Sequence, residues 1–269
     1  MGSLRLRAPL GWGYVRIAEP GSTPLRYLRF GVLRLQAGMA QVLTFPGEES
    51  LLVLLRGQAK LRWSDRTAQV ARRDVFTDPA TALYVPPGDS VFLEAEEETE
   101  WAVAHAAGEV VFPVRLILPA DLRPREAGGP GFRRRIVELL GPEDAAFHLL
   151  VGETFTPAGN WSSYPPHKHD EERPGQEAAL EEIYFYKIHP PQGFALQWIY
   201  TSDGDLDEAI AVRSDEAVLI PRGYHPVAAP PGYDVYYLWA MAGPRRDLRV
   251  ASDPAHAWLL ERHHLSSPR

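Results

Sequence analysis

The chain has 269 residues, 45% of them hydrophobic and 23% charged, which is globular composition with length for one large domain or two moderate ones. A formal net charge of −7 with no Lys/Arg-rich run argues against a nucleic-acid partner, because phosphate recognition needs a basic face. No cysteine is present, so disulfides, thiol catalysis and zinc–thiolate sites are excluded and any metal must be held by histidine and carboxylate.

The opening stretch, MGSLRLRAPLGWGYVRIAEPG, lacks an apolar signal core, and no later apolar run approaches the roughly 20 residues of a membrane span. The expected setting is the cytoplasm, without a membrane partner. Strand signals then follow in series: RYLRFGVLRLQ, ESLLVLLRG, KLRW, TALYVPP, SVFLEA and EWAVAHA, separated by Gly, Pro and Asp. Residues 119–135, PADLRPREAGGPGFRRR, are rich in Pro, Gly and Arg and read as a linker. A second series begins after it with RIVELL, FHLLVGETFTP, EIYFYKI, FALQWIYT, EAIAV, EAVLIPRG and DVYYLWAMAG. Helix signals are confined to PADLRP and DPAHAWLLERHH. TALYVPPGDSV and EAVLIPRGYHPV each read as an apolar strand, Pro-x-Gly and a new strand, a weak internal repeat that suggests two copies of one β-barrel. The expectation is an all-β chain with units at 1–118 and 136–269.

Candidate chemistry concentrates in the second unit. On an extended strand His167 and His169 of PPHKHD present both imidazoles to one side, while Lys168 points away. In LEEIYFYKI the alternation puts Glu182, Tyr184 and Tyr186 on one face and Glu181, Ile183 and Phe185 on the other. PRGYHPV supplies His225 after a Pro-Gly turn. Three imidazoles and a carboxylate suit one divalent transition ion with positions open to water or substrate. Glu172 is a rival ligand, closer to His169, but it lies beside the turn Arg173-Pro174-Gly175, whereas Glu182 leads into the tyrosine strand. In the first unit Val91 stands near where a closing histidine would be expected, and His105 reads as a half-buried structural residue. His256 reads as packing, and His263 and His264 as a solvated terminus.

His-x-His, a Glu opening a later strand and a His after Pro-x-Gly resemble the ligand order of the cupins, double-stranded β-helix barrels of the jelly-roll kind. GNWSSYPPHKHD, LEEIYFYKI, PPQGFALQ, YTSDGDLDEA and PRGYHPVAAPPGYDVYYLWAMAGP look more specifically like the 5-deoxy-glucuronate isomerase family of myo-inositol catabolism. That resemblance implies a bicupin whose first barrel lacks metal ligands and whose second holds one divalent ion through His167, His169, Glu182 and His225. Zn, Mn, Fe, Ni and Co all suit such ligands, with Zn or Mn favoured. It implies an aldose–ketose isomerisation of a small sugar acid, with Tyr184 and Tyr186 as proton-relaying or orienting candidates and Gln197 as a hydroxyl binder. Lys187, Arg213 and Arg222 are the cations nearest in sequence for the substrate carboxylate. Trp198 and Trp239 stand where more polar residues would be expected. Cupin habit implies a homo-oligomer, a dimer or hexamer. A ferrous cupin oxygenase and a non-enzymatic sugar-binding cupin are the alternatives.

Overall fold

A computed structural model of the chain describes residues 3–109 and 112–262. His263 and His264 lie outside the described residues. Strands dominate, and the helical pieces are short: 3-10 turns at Pro119–Asp121 and Pro254–His256 and an α-helix at Trp258–Arg262. They fall where PADLRP and DPAHAWLLERHH place them.

The expected repeat is realised as a duplicated strand order. One sheet runs Arg115–Ile117, Ala82–Val85, Glu48–Trp63, Thr99–Ala107, Leu28–Leu35, Gly13–Ala18. The other runs Arg5–Arg7, Glu216–Ile220, Glu181–His189, Asp234–Ala242, Leu150–Thr156, Arg134–Leu140, Arg123–Ala127. Each has a smaller companion layer, again in matching order. In the first it is Ala40–Thr44, Ser90–Ala95, the far half of Glu48–Trp63 and Arg66–Arg72; in the second, Trp161–Ser162, Val227–Ala228, Ala195–Tyr200 and Asp207–Val212. ESLLVLLRG and KLRW, which read as two strands, join into one. The register shifts between Leu54 and Arg56, and Gly57, at φ 99°, passes so close to Glu98 that a Cβ would stand 2.1 Å from its carbonyl oxygen. This bulge lets one strand serve both layers.

Two boundaries differ from expectation. Residues 119–135 are not a free linker: Arg123–Ala127 and Arg134–Leu140 form a hairpin on the edge of the second sheet. Pro and Gly there mark the turn between the two strands. Arg5–Arg7 pairs with Glu216–Ile220, so the N-terminal segment completes the second sheet rather than the first.

The two sheets pack face to face, because strand alternation gives each an apolar outer side as well as a filled interior. Leu52 and Leu54 point into the first unit's own core, while Leu51, Val53 and Leu55 join a larger core continuous with Ile183, Phe185 and Leu219 of the second. Phe30 and Phe185 meet there with ring centroids 5.5 Å apart. Reciprocal carboxylates pin the seam. Glu181 accepts from the backbone N–H groups of Arg26, Tyr27 and Leu28 at 2.6–3.0 Å. Glu49, at the equivalent place in the first sheet, accepts from those of Phe147, His148 and Leu149 at 2.5–2.7 Å. Between them Arg72 holds Glu153 through two bonds of 2.7 and 3.0 Å, with Tyr236 donating to the same carboxylate.

Removing one latch strands three amides at the seam, that of Leu28 buried. Glu181→Ala is expected to lower unfolding free energy by about 2–5 kcal/mol in urea titrations, against less than about 0.5 kcal/mol for the exposed Glu97→Ala.

Candidate metal centre

The strand Glu181–His189 has two lives. Its odd residues face the first unit; its even residues, Glu182, Tyr184 and Tyr186, face the second unit's interior beside Met241, Trp239 and Tyr237 of the neighbouring strand. Glu182 Oε2 lies 3.1 Å from His169 Nε2 and 3.3 Å from His225 Nε2, and the three donor atoms all fall within 4.8 Å of one another. Among the described residues this is the group able to hold a metal ion.

Local structure aims both imidazoles. His169 Nδ1 donates to the Leu180 carbonyl at 3.0 Å and His225 Nδ1 to the Gly223 carbonyl at 2.9 Å, which turns each Nε2 toward Glu182. Gly223, at φ 93°, lets the turn press against Tyr200, where a Cβ would stand 2.6 Å from the carbonyl oxygen; its N–H donates to Asp170. The 170–180 stretch, which reads as a charged surface loop, is organised around buried Glu177. That carboxylate takes Lys168, Arg173 and the amides of Asp170 and Glu171. Lys168 therefore points away from the site, as strand alternation requires.

His167 stands beside the group, its ring centroid 5.0 Å from that of His225 and 6.4 Å from that of His169, outside the cluster of three. Its Nδ1 and His225 Nε2 are buried without a hydrogen-bond partner. Burial depresses both groups, His225 to about 4 and His167 well below the usual imidazole range. At His169 burial pulls the same way, but the hydrogen bond it donates to Glu182 outweighs it and raises the value. Three imidazoles, two of them with an orphaned nitrogen, and one buried carboxylate form a donor set that a divalent cation satisfies.

The group opens on a cavity of about 610 Å³ lined by Arg134, Ser163, His167, Tyr184, Tyr237 and Trp239 among others. Tyr184 and Tyr237 stack at 4.2 Å, and Ser163 Oγ lies 2.8 Å from the Tyr184 hydroxyl and 3.4 Å from that of Tyr237. Ser163 reaches them from a left-handed backbone, φ 48°. Burial pushes the Tyr184 hydroxyl well above its ordinary value and raises that of Tyr237, so both are donors at neutral pH. Gly152 makes room for the Trp239 ring: a Cβ there would lie 2.2 Å from it. Trp239 is thus an apolar wall of the cavity, whereas Trp198 stacks on Tyr200 at 3.9 Å and donates to Asp207.

The structure brings His167, His169, Glu182, His225 and Tyr184 together and separates the other candidates. The Tyr186 hydroxyl donates to Gln197 Oε1 at 2.7 Å, and neither residue lines the cavity. Lys187 is on the opposite face, bound to Glu100 and Asp215. Arg213 is exposed on a loop, and Arg222 faces Asp203 and Asp205 at 3.8 and 3.7 Å. Nearness in sequence misled for all three cations. Glu172 is likewise remote, pairing with Arg245. In the first unit Val91 is fully buried in the core, and His105 is fully rather than half buried, bonded to Ser50 at 2.7 Å and Tyr14 at 2.6 Å. His256 is half-buried, 4.0 Å from Asp253. Arg134, Ser163 and Tyr237 were not expected. The alternation in RRRIVELL puts Arg134, Ile136 and Glu138 on one face, and DVYYLWAMA puts Tyr237 with Trp239; read as strands, both stretches carry that signal.

The model of a family described as KduI/IolB matches residues 13–259. A 5-deoxy-glucuronate isomerase of Geobacillus kaustophilus is 42% identical over 93% of this chain and 91% of its own, and one of Geobacillus thermodenitrificans is 41% identical over 93% and 92%. A crystal structure of an IolB-like protein from Salmonella typhimurium LT2 superposes with a TM-score of 0.92 at 38% identity, covering 96% of this chain and 99% of that one. An oxalate decarboxylase from Lactobacillus farciminis shares the fold, with a TM-score of 0.66 at 12% identity over 99% and 95%.

The depressed imidazole at 225 ties stability to pH. It titrates near 4 when folded and near 6.5 when unfolded, so between those values the unfolded chain binds the extra proton and stability falls as pH falls. Metal-free protein is expected to lose about 3 kcal/mol from this group between pH 6.5 and 4, and His225→Gln to show a correspondingly shallower slope in denaturation series.

Proposed function

The chain belongs to the KduI/IolB family, and from that membership we infer a 5-deoxy-glucuronate isomerase, which turns 5-deoxy-D-glucuronate into 5-dehydro-2-deoxy-D-gluconate in myo-inositol catabolism. The observation that carries the mechanism is the convergence of His169, Glu182 and His225 beside a cavity that His169 and Glu182 line. These residues, with the adjacent His167, would hold one divalent ion, Zn or Mn by ligand chemistry. Such an ion supplies a Lewis acid that polarises the carbonyl and steadies charge shared between neighbouring oxygens.

The protein's own groups do the rest. Tyr184, kept protonated by burial and oriented by Ser163, would donate a hydrogen bond to a substrate oxygen as carbonyl and hydroxyl exchange places. Tyr237 stacks behind it and fixes its plane. Tyr186 and Gln197 form the floor on which this pair rests, a positioning role rather than one in proton transfer. Trp239 presents an apolar wall that excludes water. The first unit acts as scaffold: Ser50 occupies the register of Glu182, and its partner His105 is consumed by hydrogen bonds.

No helix among the described residues is long and apolar enough to cross a membrane, and a catabolic substrate of this kind supports a cytoplasmic setting. Exposed Trp161, Phe194 and Leu196 on the second unit's smaller layer support self-association.

One experiment separates this reading from that of a ferrous cupin oxygenase. Metal-loaded protein is expected to convert 5-deoxy-glucuronate without oxygen, followed by NMR; arrest under anaerobic conditions would rule out the isomerase. His225→Ala is expected to lose both metal and turnover while staying folded. Tyr184→Phe is expected to lower kcat about 10- to 100-fold, and Tyr186→Phe by no more than about threefold.

A further inference from the structure

We propose that Arg134 is the receptor for the substrate's carboxylate. The inference rests on the isomerase reading, which makes the substrate an acid, but its grounds are Arg134's own surroundings. Arg134 opens the strand Arg134–Leu140 and is only 8% exposed, yet it lines the same cavity as His167, Tyr184 and Tyr237. Its Nη1 is fixed by the carbonyls of Phe132 at 3.3 Å and Tyr164 at 2.9 Å. Gly128, at φ 87°, permits that approach, since a Cβ there would stand 2.7 Å from Nη1 and 2.0 Å from the Phe132 oxygen.

Among the described residues no carboxylate lies within ion-pairing distance of Arg134. The comparison with Arg72 is direct: also buried, it is matched by Glu153 at 2.7 Å. A guanidinium taken out of water without a counter-charge is costly, and burial accordingly lowers the proton affinity of Arg134. The cavity's other arginine, Arg125, is exposed at the rim, 3.9 Å from Glu138. Arg134 therefore keeps a planar fork of unspent N–H donors at the cavity wall, a geometry suited to a carboxylate through two parallel bonds. The two ends of a sugar acid then meet different chemistry, the hydroxy-aldehyde at the His/Glu cluster and the acid at Arg134.

The test compares wild type, Arg134→Met and Arg134→Lys on 5-deoxy-glucuronate and on its carboxamide, with metal content and melting temperature measured alongside. Arg134→Met is expected to raise KM for the acid about 10- to 100-fold with a much smaller change in kcat, and to leave the amide at its wild-type level. Arg134→Lys is expected to recover part of the preference for acid over amide. Equal losses on acid and amide, or none on either, overturn the proposal; if Arg134→Met does not fold, the acid-to-amide ratio of Arg134→Lys decides, an unchanged ratio counting against it. Should wild type not turn over the acid, the isomerase reading fails by itself. Arg134 is then judged by calorimetry with the acid reduced at its aldehyde, where binding to wild type but not to Arg134→Met upholds it and equal binding or none overturns it.

Discussion

The two-sidedness of the strand Glu181–His189 is the constraint on which the rest depends. A strand can present a carboxylate and a tyrosine to a cavity only if something holds its backbone in place from behind. Ile183 and Phe185 supply apolar contact, Glu181 binds three amides of the other unit, and Lys187 closes the far end on Glu100 and Asp215. Every second residue is thus spent on attachment and every other one on chemistry. A slip of one residue would exchange the two sets, which is why both ends carry ionic anchors and not apolar contact alone.

Duplication explains how such an arrangement arises while, among the described residues, one unit carries the group able to hold a metal ion. The sheets share strand order, and Glu49 and Glu181 make matching latches, each grasping the backbone of the opposite unit. At the next position the copies diverge. Ser50 in one copy binds a histidine already engaged by Tyr14; Glu182 in the other binds two imidazoles whose remaining capacity faces a cavity. The surrounding frame is the same, and the difference lies in whether polar groups at the barrel mouth saturate one another.

Much of this was legible in the sequence because period two is a strong signal. The class, the repeat and the pairing of His169, Glu182 and His225 follow from alternation and from turns marked by Pro and Gly. The same alternation already set Lys187 apart from Glu182; only its nearness along the chain made it look like a site residue. Arg134 was hidden for another reason. It lies in a stretch whose Pro and Gly density imitates a linker, and what turns that stretch into a hairpin is pairing between Arg123–Ala127 and Arg134–Leu140, a contact no local pattern announces. Likewise no short window shows that Ser163 reaches the tyrosines, since its reach depends on an unusual backbone angle.

The strand Arg5–Arg7 has a consequence for biosynthesis. It lies on the edge of a sheet whose neighbouring strand, Glu216–Ile220, is translated some two hundred residues later. During synthesis the leading segment must wait unpaired while the first barrel assembles beside it. The second sheet is thus clasped at its edge by residues that left the ribosome before any of its other strands.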